Sequence, residues 1–309
     1  MTPAELMVIT RRLLNDETAA TYKWTIAELV DYFNFTMDDI SRDTDYFLDS
    51  YTAAITEIAV VAGTPSYACS AFINDIKRVY LNEENEELHF YSVEDLTNHN
   101  SHWMYSNGIY GTDISFADSN PDTIISTSTD FIAEGLVDDE WIQINGCVTA
   151  ANNKNVQIET VAQYLLTLKT AATLTTRAVG DPISLRTLNV GTPTKYTLGY
   201  RTGYITLSPC PDEAGALFLD TSRYQLVPLT TALVATPGTY EIPLSINYHL
   251  GLVDGICKYA YLKSGPSTFN IEKSKIHEMR FLALESDLKK NLIKSRSSRL
   301  AATPHEGNI

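Results

Sequence analysis

YKWTIAELVDYFNFTMDDISRDT, residues 22–44, is a helix written out with its own start signal. Thr25 stands where a cap is needed, and Glu28 follows three residues later to close a capping box. Ile26, Leu29, Val30, Phe33, Met37 and Ile40 then recur at steps of three and four, which lays them along one buried face. The same pattern appears at both ends of the chain. Thr2, Pro3 and Glu5 open a helix carrying Leu6, Ile9 and Leu13, with proline at its first helical position. Far downstream, Ile246, Leu250, Val253, Cys257 and Ala260 repeat the spacing. Asn270 can cap a further helix bearing Phe281, Leu284, Leu288 and Leu292, so four helices are expected, two at each end.

Between them the period changes. Trp141-Ile142-Gln143-Ile144, Val156-Gln157-Ile158-Glu159-Thr160 and Tyr204-Ile205-Thr206-Leu207 alternate or are β-branched, with Gly, Pro, Asn and Asp between them, which are strand signals. The expected fold class is α+β, one domain interrupted by another.

The chain has 309 residues, 44% of them hydrophobic, enough to bury a sizeable core. No apolar run approaches the roughly 18 residues that span a bilayer, and the N-terminus reads as a capped helix, so neither a membrane anchor nor a signal peptide is expected. Cys69, Cys147, Cys210 and Cys257 are isolated and read as buried free thiols. The net charge is −15, and it is uneven: residues 1–110 hold 6 Lys/Arg against 18 Asp/Glu, residues 191–309 hold 13 against 10. Such a chain is unsuited to gripping nucleic acid, because affinity for phosphate comes mainly from Lys and Arg displacing counterions. Basic residues gather late, as Lys289, Lys290, Lys294, Arg296 and Arg299, where they either complement the negative end of a helix dipole or dock a partner.

The Trp24-Thr25-x-x-Glu28-Leu29-x-x-Tyr32-x-Asn34 pattern resembles the head-to-tail adaptor (connector) proteins of tailed bacteriophages. Further pieces follow in the family's order: VVAGTPSY (60–67), INDIKRVYLNEENEELHFYSVEDLTNHNSHW (73–103), GTPTKYTL (191–198) and GYITLSPCPDEAGALFLDTSRYQLVPL (203–229). The last looks like the family hairpin closed by a Pro-Asp-x-x-Gly turn. EIPLSINYHLGLVDGICKYAYLKSGPSTFNIEKSKIHEMRFL (241–282) is similar to the family's final two helices. Residues 106–190 depart from the pattern. Within them, 122–146 and 155–168 look like a small β-barrel module found in phage structural proteins.

The resemblance implies a helical-bundle adaptor domain with a β-hairpin, interrupted by an inserted all-β domain, a small barrel or sandwich. Its expected parts are residues 1–110 and 191–294 for the adaptor, 111–190 for the insert and 295–309 for an extended tail. It also implies a non-enzymatic ring of about twelve copies, placed in the virion neck after assembly in the host cytoplasm. The ring would join the portal to a tail nozzle, tail tube or fibre protein and line a channel through which double-stranded DNA passes without tight binding. Arg296, Arg299 and Leu300 are the candidate portal-docking residues, in a short basic segment that orders on binding. Asp38, Asp39, Glu83 and Glu84 are the candidate channel-facing acids.

Catalytic patterns are missing from the sequence. There is no Gly-x-Ser-x-Gly, no Walker-type loop and no Gly-x-Gly-x-x-Gly, and no cofactor is expected. His99 and His102 lack the glutamate of a His-Glu-x-x-His site and read as loop residues. Acid pairs such as Asp38-Asp39 and Asp138-Asp139 read as solvated surface. Tyr22, Tyr32, Tyr196, Tyr200, Tyr204 and Tyr224 serve either subunit contacts or the core. Trp24 and Trp103 read as core anchors and Trp141 as a core residue of the insert. The rival reading is a ligand- or carbohydrate-binding β-module on a helical support, with Trp141 and Tyr164 as its aromatic candidates.

Overall fold

A computed structural model of the protein describes residues 1–18, 21–82, 86–169, 172–236, 238–265 and 267–300, without the side chains of Glu86 and of residues 294–300. The fold is α+β. Helix α1 (Pro3–Leu13) begins as its sequence requires: Thr2 Oγ1 accepts from the Glu5 N–H at 3.3 Å, and Glu5 accepts from the Thr2 N–H at 2.8 Å. Helix α2 (Ile26–Thr44) repeats the box with Thr25 and Glu28 at 3.2 and 2.8 Å. Short helices α3 (Ala53–Thr56), α4 (Val93–His99) and α5 (Thr231–Ala235) precede α6 (His249–Ala260) and α7 (Ile271–Leu300). Asn270 Oδ1 accepts from the Lys273 N–H at 2.9 Å and so caps α7. Residues 295–300, expected to belong to an extended tail, are helical instead, because α7 continues to Leu300, and residues 301–309 lie outside the described residues. Lys, Arg and Leu are good helix formers, and a helix already nucleated by packing extends cheaply.

The strands are β1 (Leu48–Asp49), β2 (Glu57–Val60), β3 (Ser66–Ala68), β4 (Ile73–Leu81), β5 (Glu86–Glu87), β6 (His89–Phe90), β7 (Tyr105–Gly111), β8 (Ile114–Ala117), β9 (Thr123–Ser126), β10 (Trp141–Asn145), β11 (Asn155–Ala162), β12 (Leu165–Leu168), β13 (Ile183–Leu188), β14 (Lys195–Thr197), β15 (Tyr204–Ser208) and β16 (Gly215–Arg223). Among the described residues they form three sheets: β1-β16-β4-β5 with β2 also on β16, β3-β15-β14-β6, and β7-β13-β10-β11-β12-β9-β8.

Two compact units result, one of Met1–Ser50, Phe72–Lys77 and the chain from Asp220 on, the other of Tyr51–Ala71 and Arg78–Leu219. This differs from the sequence-based boundaries. Residues 51–71, 78–110 and 191–219, expected to belong with the helices, fall in the same unit as the β-rich block. Their strands find partners there: β3 pairs with β15 (Ile205 opposite Tyr67), and β6 lies parallel to β14. A strand's N–H and C=O groups must be paired somewhere, and this outweighs adjacency in sequence.

The helical unit closes around Leu6, Trp24, Leu29, Phe33, Met37, Ile40, Leu252, Ile256, Phe281 and Leu288, all buried. Gly255 is what lets α6 come close, since a Cβ there would stand 2.3 Å from Thr36 Cγ2.

In the second unit, Ile124, Phe131, Ile142, Ile144, Ile158, Leu166, Leu168 and Leu185 fill the core of the seven-stranded sheet. Strands β7 and β8 stand at opposite ends of its pairing order, yet only Thr112 and Asp113 separate them in sequence. A two-residue link cannot span seven flat strands spaced about 4.8 Å apart, so the sheet is rolled. In chain order the sheet begins with β7 and ends with β13, and these strands pair directly, with Gly111 opposite Ile183.

Trp141 is not a core residue of this sheet: alternation turns Ile142 and Ile144 inward and Trp141 to the other face, where its ring covers Gly63. The hairpin forms one strand earlier than expected, between β14 and β15, while β15 and β16 lie in different sheets. Pro209 and Pro211 between them lack the N–H a continuing ladder needs.

Candidate functional site

The 22–44 pattern resolves into physical roles. Trp24 is 1% exposed and donates Nε1–H to the Ala260 carbonyl at 2.9 Å, tying the start of α2 to the end of α6. Its own N–H and that of Lys23 are held by the buried Asp16, which Arg11 pairs at 2.7 Å. Glu28 bonds Lys263 at 2.7 Å, and Tyr32 stacks on Tyr259 with ring centroids 6.4 Å apart. Asn34 holds a distant segment: its Nδ2 donates to the Leu229 carbonyl at 3.0 Å, and its Oδ1 accepts from the Leu229 N–H at 2.9 Å and from Gln225 at 3.1 Å.

Of the candidate channel acids, Asp39 is spent inside the fold. It is 6% exposed and accepts from Lys258 Nζ at 2.8 Å, Tyr259 Oη at 2.5 Å and Arg42 at 2.7 Å. Burial alone would raise its pKa, but these bonds and the Lys258 charge together hold it below the ordinary carboxylate value. Asp39 follows Thr36 by three residues and so lies on the buried face of α2, where α6 supplies Lys258 and Tyr259 as its partners. Asp38 stays half-exposed, its pKa raised by burial and by Asp39. Glu83 and Glu84 lie outside the described residues. Glu285 on α7 is a further buried acid that the sequence did not single out. Burial raises its pKa, with Asp43 and Asp39 adding to the effect against Lys258 and Lys289.

Helix α7 has two faces. Phe281, Leu284 and Leu288 are buried toward α6 and α2. Ile271, Met279, Leu282 and Ile293 are 50, 66, 54 and 66% exposed. Ile271, Leu282 and Ile293 repeat every eleven residues, close to three turns at 3.6 residues per turn, so they form a stripe turned away from the packed face, with Met279 beside it. The sequence contains this stripe, but polar residues interrupt it and its spacing is not that of a core face. Arg296, Arg299 and Leu300 are in the last turns of the same helix, and their side chains lie outside the described residues.

Among the described residues no group of three His, Cys, Asp or Glu could hold a metal ion, and no helix is long and apolar enough to cross a membrane. His99 Nδ1 lies 2.9 Å from the Asp95 carbonyl on its own helix. The four cysteines are free thiols. Burial pushes the Cys210 and Cys257 thiols up to about 12, away from nucleophilic chemistry.

No curated protein matches the chain. The family model described as SU10 adaptor protein matches residues 1–127, from α1 through the end of β9, and so takes in the whole 22–44 pattern. Over those residues the chain is similar to the SU10 adaptor protein family, and that similarity points to a structural adaptor of a phage virion.

Proposed function

We propose that copies of this chain close into a ring of about twelve that connects the portal at the head vertex to the tail, in the neck of the virion. The role is structural and not enzymatic. The observation that carries the reading is the exposed stripe of α7, Ile271, Met279, Leu282 and Ile293, on a helix whose other face is already buried. A second apolar face on one helix is what a subunit needs to pack against a neighbour by a heterologous contact. The family match over residues 1–127 gives the context in which such a contact makes a neck ring.

In this reading Arg296, Arg299 and Leu300, at the end of α7, dock on the portal. Asp38, Glu83 and Glu84 face the channel and keep passing DNA from sticking, as a chain of net charge −15 allows. The ring's other face meets a tail nozzle, tail tube or fibre protein. Truncation after Lys294 is the test of the docking role. The shortened protein should keep the far-UV spectrum and melting behaviour of the helical unit and yet fail to co-sediment with portal rings. Normal co-sedimentation of the truncated form would remove these residues from the role.

A further inference from the structure

The second unit carries a groove of about 420 Å³ that the adaptor reading does not use. Trp103, Tyr105 and Tyr110 reach it from β7 and the segment before it, Arg186 from β13, and Tyr200 from the loop after β14. Pairing of β7 with β13 sets Arg186 opposite Gly108, between the two tyrosines of β7. Its guanidinium stacks 5.4 Å from the Tyr105 ring centroid and 5.7 Å from that of Tyr110, and Nε donates to Tyr110 Oη at 3.2 Å. Tyr105 is anchored in turn by Gln143 at 2.7 Å. Trp103 meets Tyr200 edge to face at 5.8 Å. The arginine is therefore oriented by its surroundings before any ligand arrives.

Two features are left over. Tyr110 and Tyr200 remain 67% and 49% exposed. No carboxylate lines the groove, although the chain has 38 of them, and among the described residues none pairs with Arg186, whose bond runs through Nε and leaves both terminal nitrogens as donors. The rest of the lining is polar, from Ser101, His102 and Asn107, with Met104 its one aliphatic side chain. An apolar peptide or lipid would find little aliphatic wall here. A sugar ring offers C–H faces to lie on exposed aromatic rings and hydroxyls for the Ser, Asn and His side chains, and a carboxylate on that ring meets a guanidinium in bidentate geometry.

We propose that this groove binds an acidic saccharide, a hexose ring carrying a carboxylate, with Tyr110 and Tyr200 as stacking faces and Arg186 as the carboxylate clamp. The site belongs to one subunit and does not depend on whether the chain forms a ring.

Calorimetric titration of the full chain with tri-galacturonic acid and with its methyl ester tests the assignment. The acid should bind saturably, with the ester at least about tenfold weaker. Arg186→Gln should weaken the acid by about tenfold or more, and so should Tyr110→Ala, whose ring is exposed and whose loss leaves the fold intact by thermal melting. Equal affinity for acid and ester, unchanged binding by Arg186→Gln, or no saturable binding of either sugar to about 10 mM would overturn it. Displacement of the acid by an equimolar Asp/Glu hexapeptide would also overturn it, because the groove would then be a peptide site.

Discussion

Asn34 closes the pattern that opens the chain's second helix, and its amide satisfies both backbone groups of Leu229, a residue only 2% exposed. Asn34→Ala would leave a buried N–H and a buried C=O without partners. It should cost about 2 kcal/mol, read as a lower urea midpoint at unchanged slope. Two acids at the α2–α6–α7 junction predict opposite pH behaviour. Asp39 has a lowered folded pKa, so its stabilisation is present above the ordinary value of 3.8 and is lost as pH falls through the folded value. Asp39→Asn should therefore destabilise by about 3 kcal/mol at pH 7, with Lys258 left unpaired, and the difference should shrink in acid. Glu285 has a raised folded pKa, so the fold favours its protonated form, and ionisation costs stability as pH rises above 4.5. Glu285→Gln should raise the melting temperature at pH 7 and lose that advantage below pH 4.5. The same sign for both variants at pH 7 would contradict this assignment.

At the scale of elements, α7 is the piece with two jobs. Leu282→Glu places a charge in the middle of the exposed stripe, at a side chain that is 54% exposed. It should leave the urea midpoint within about 0.5 kcal/mol of wild type while shifting the assembled species toward monomer in light scattering. The boundary between what the sequence discloses and what it does not follows locality. Capping at Thr2 and Thr25 and the Leu29, Val30, Phe33, Met37 and Ile40 stripe of α2 are contained within a few turns and can be read directly, whereas Leu13, Ile246 and Leu250, expected on buried faces, are 44, 68 and 62% exposed. The inward turn of Asp39 depends on α6 supplying Lys258 and Tyr259, more than two hundred residues away. The second face of α7 is hidden because its period spans three turns. The groove escapes reading because it is assembled by the register of β7 on β13, which brings Arg186 between tyrosines about eighty residues earlier. Tyr200 is visible as an interface candidate, but its neighbours in the groove are not, and Trp141 and Tyr164 are not among them.

On the scale of the whole molecule, a helical unit built from both ends of the chain and a β-rich unit built from its middle share 309 residues. Strand pairing assigns residues 51–71, 78–110 and 191–219 to the β-rich unit, so that unit is larger than a simple insert between adaptor halves. The helical unit keeps the stripe and the basic end of α7, and on this account it supplies the contacts between copies. Light scattering with negative-stain imaging of the purified protein, alone and mixed with portal rings, decides whether copies of the chain close into a ring. The expected result is a ring of twelve 34.4 kDa chains, about 410 kDa, or monomers that form a second tier once portal rings are added. A monomer that stays monomeric and ignores the portal would contradict it.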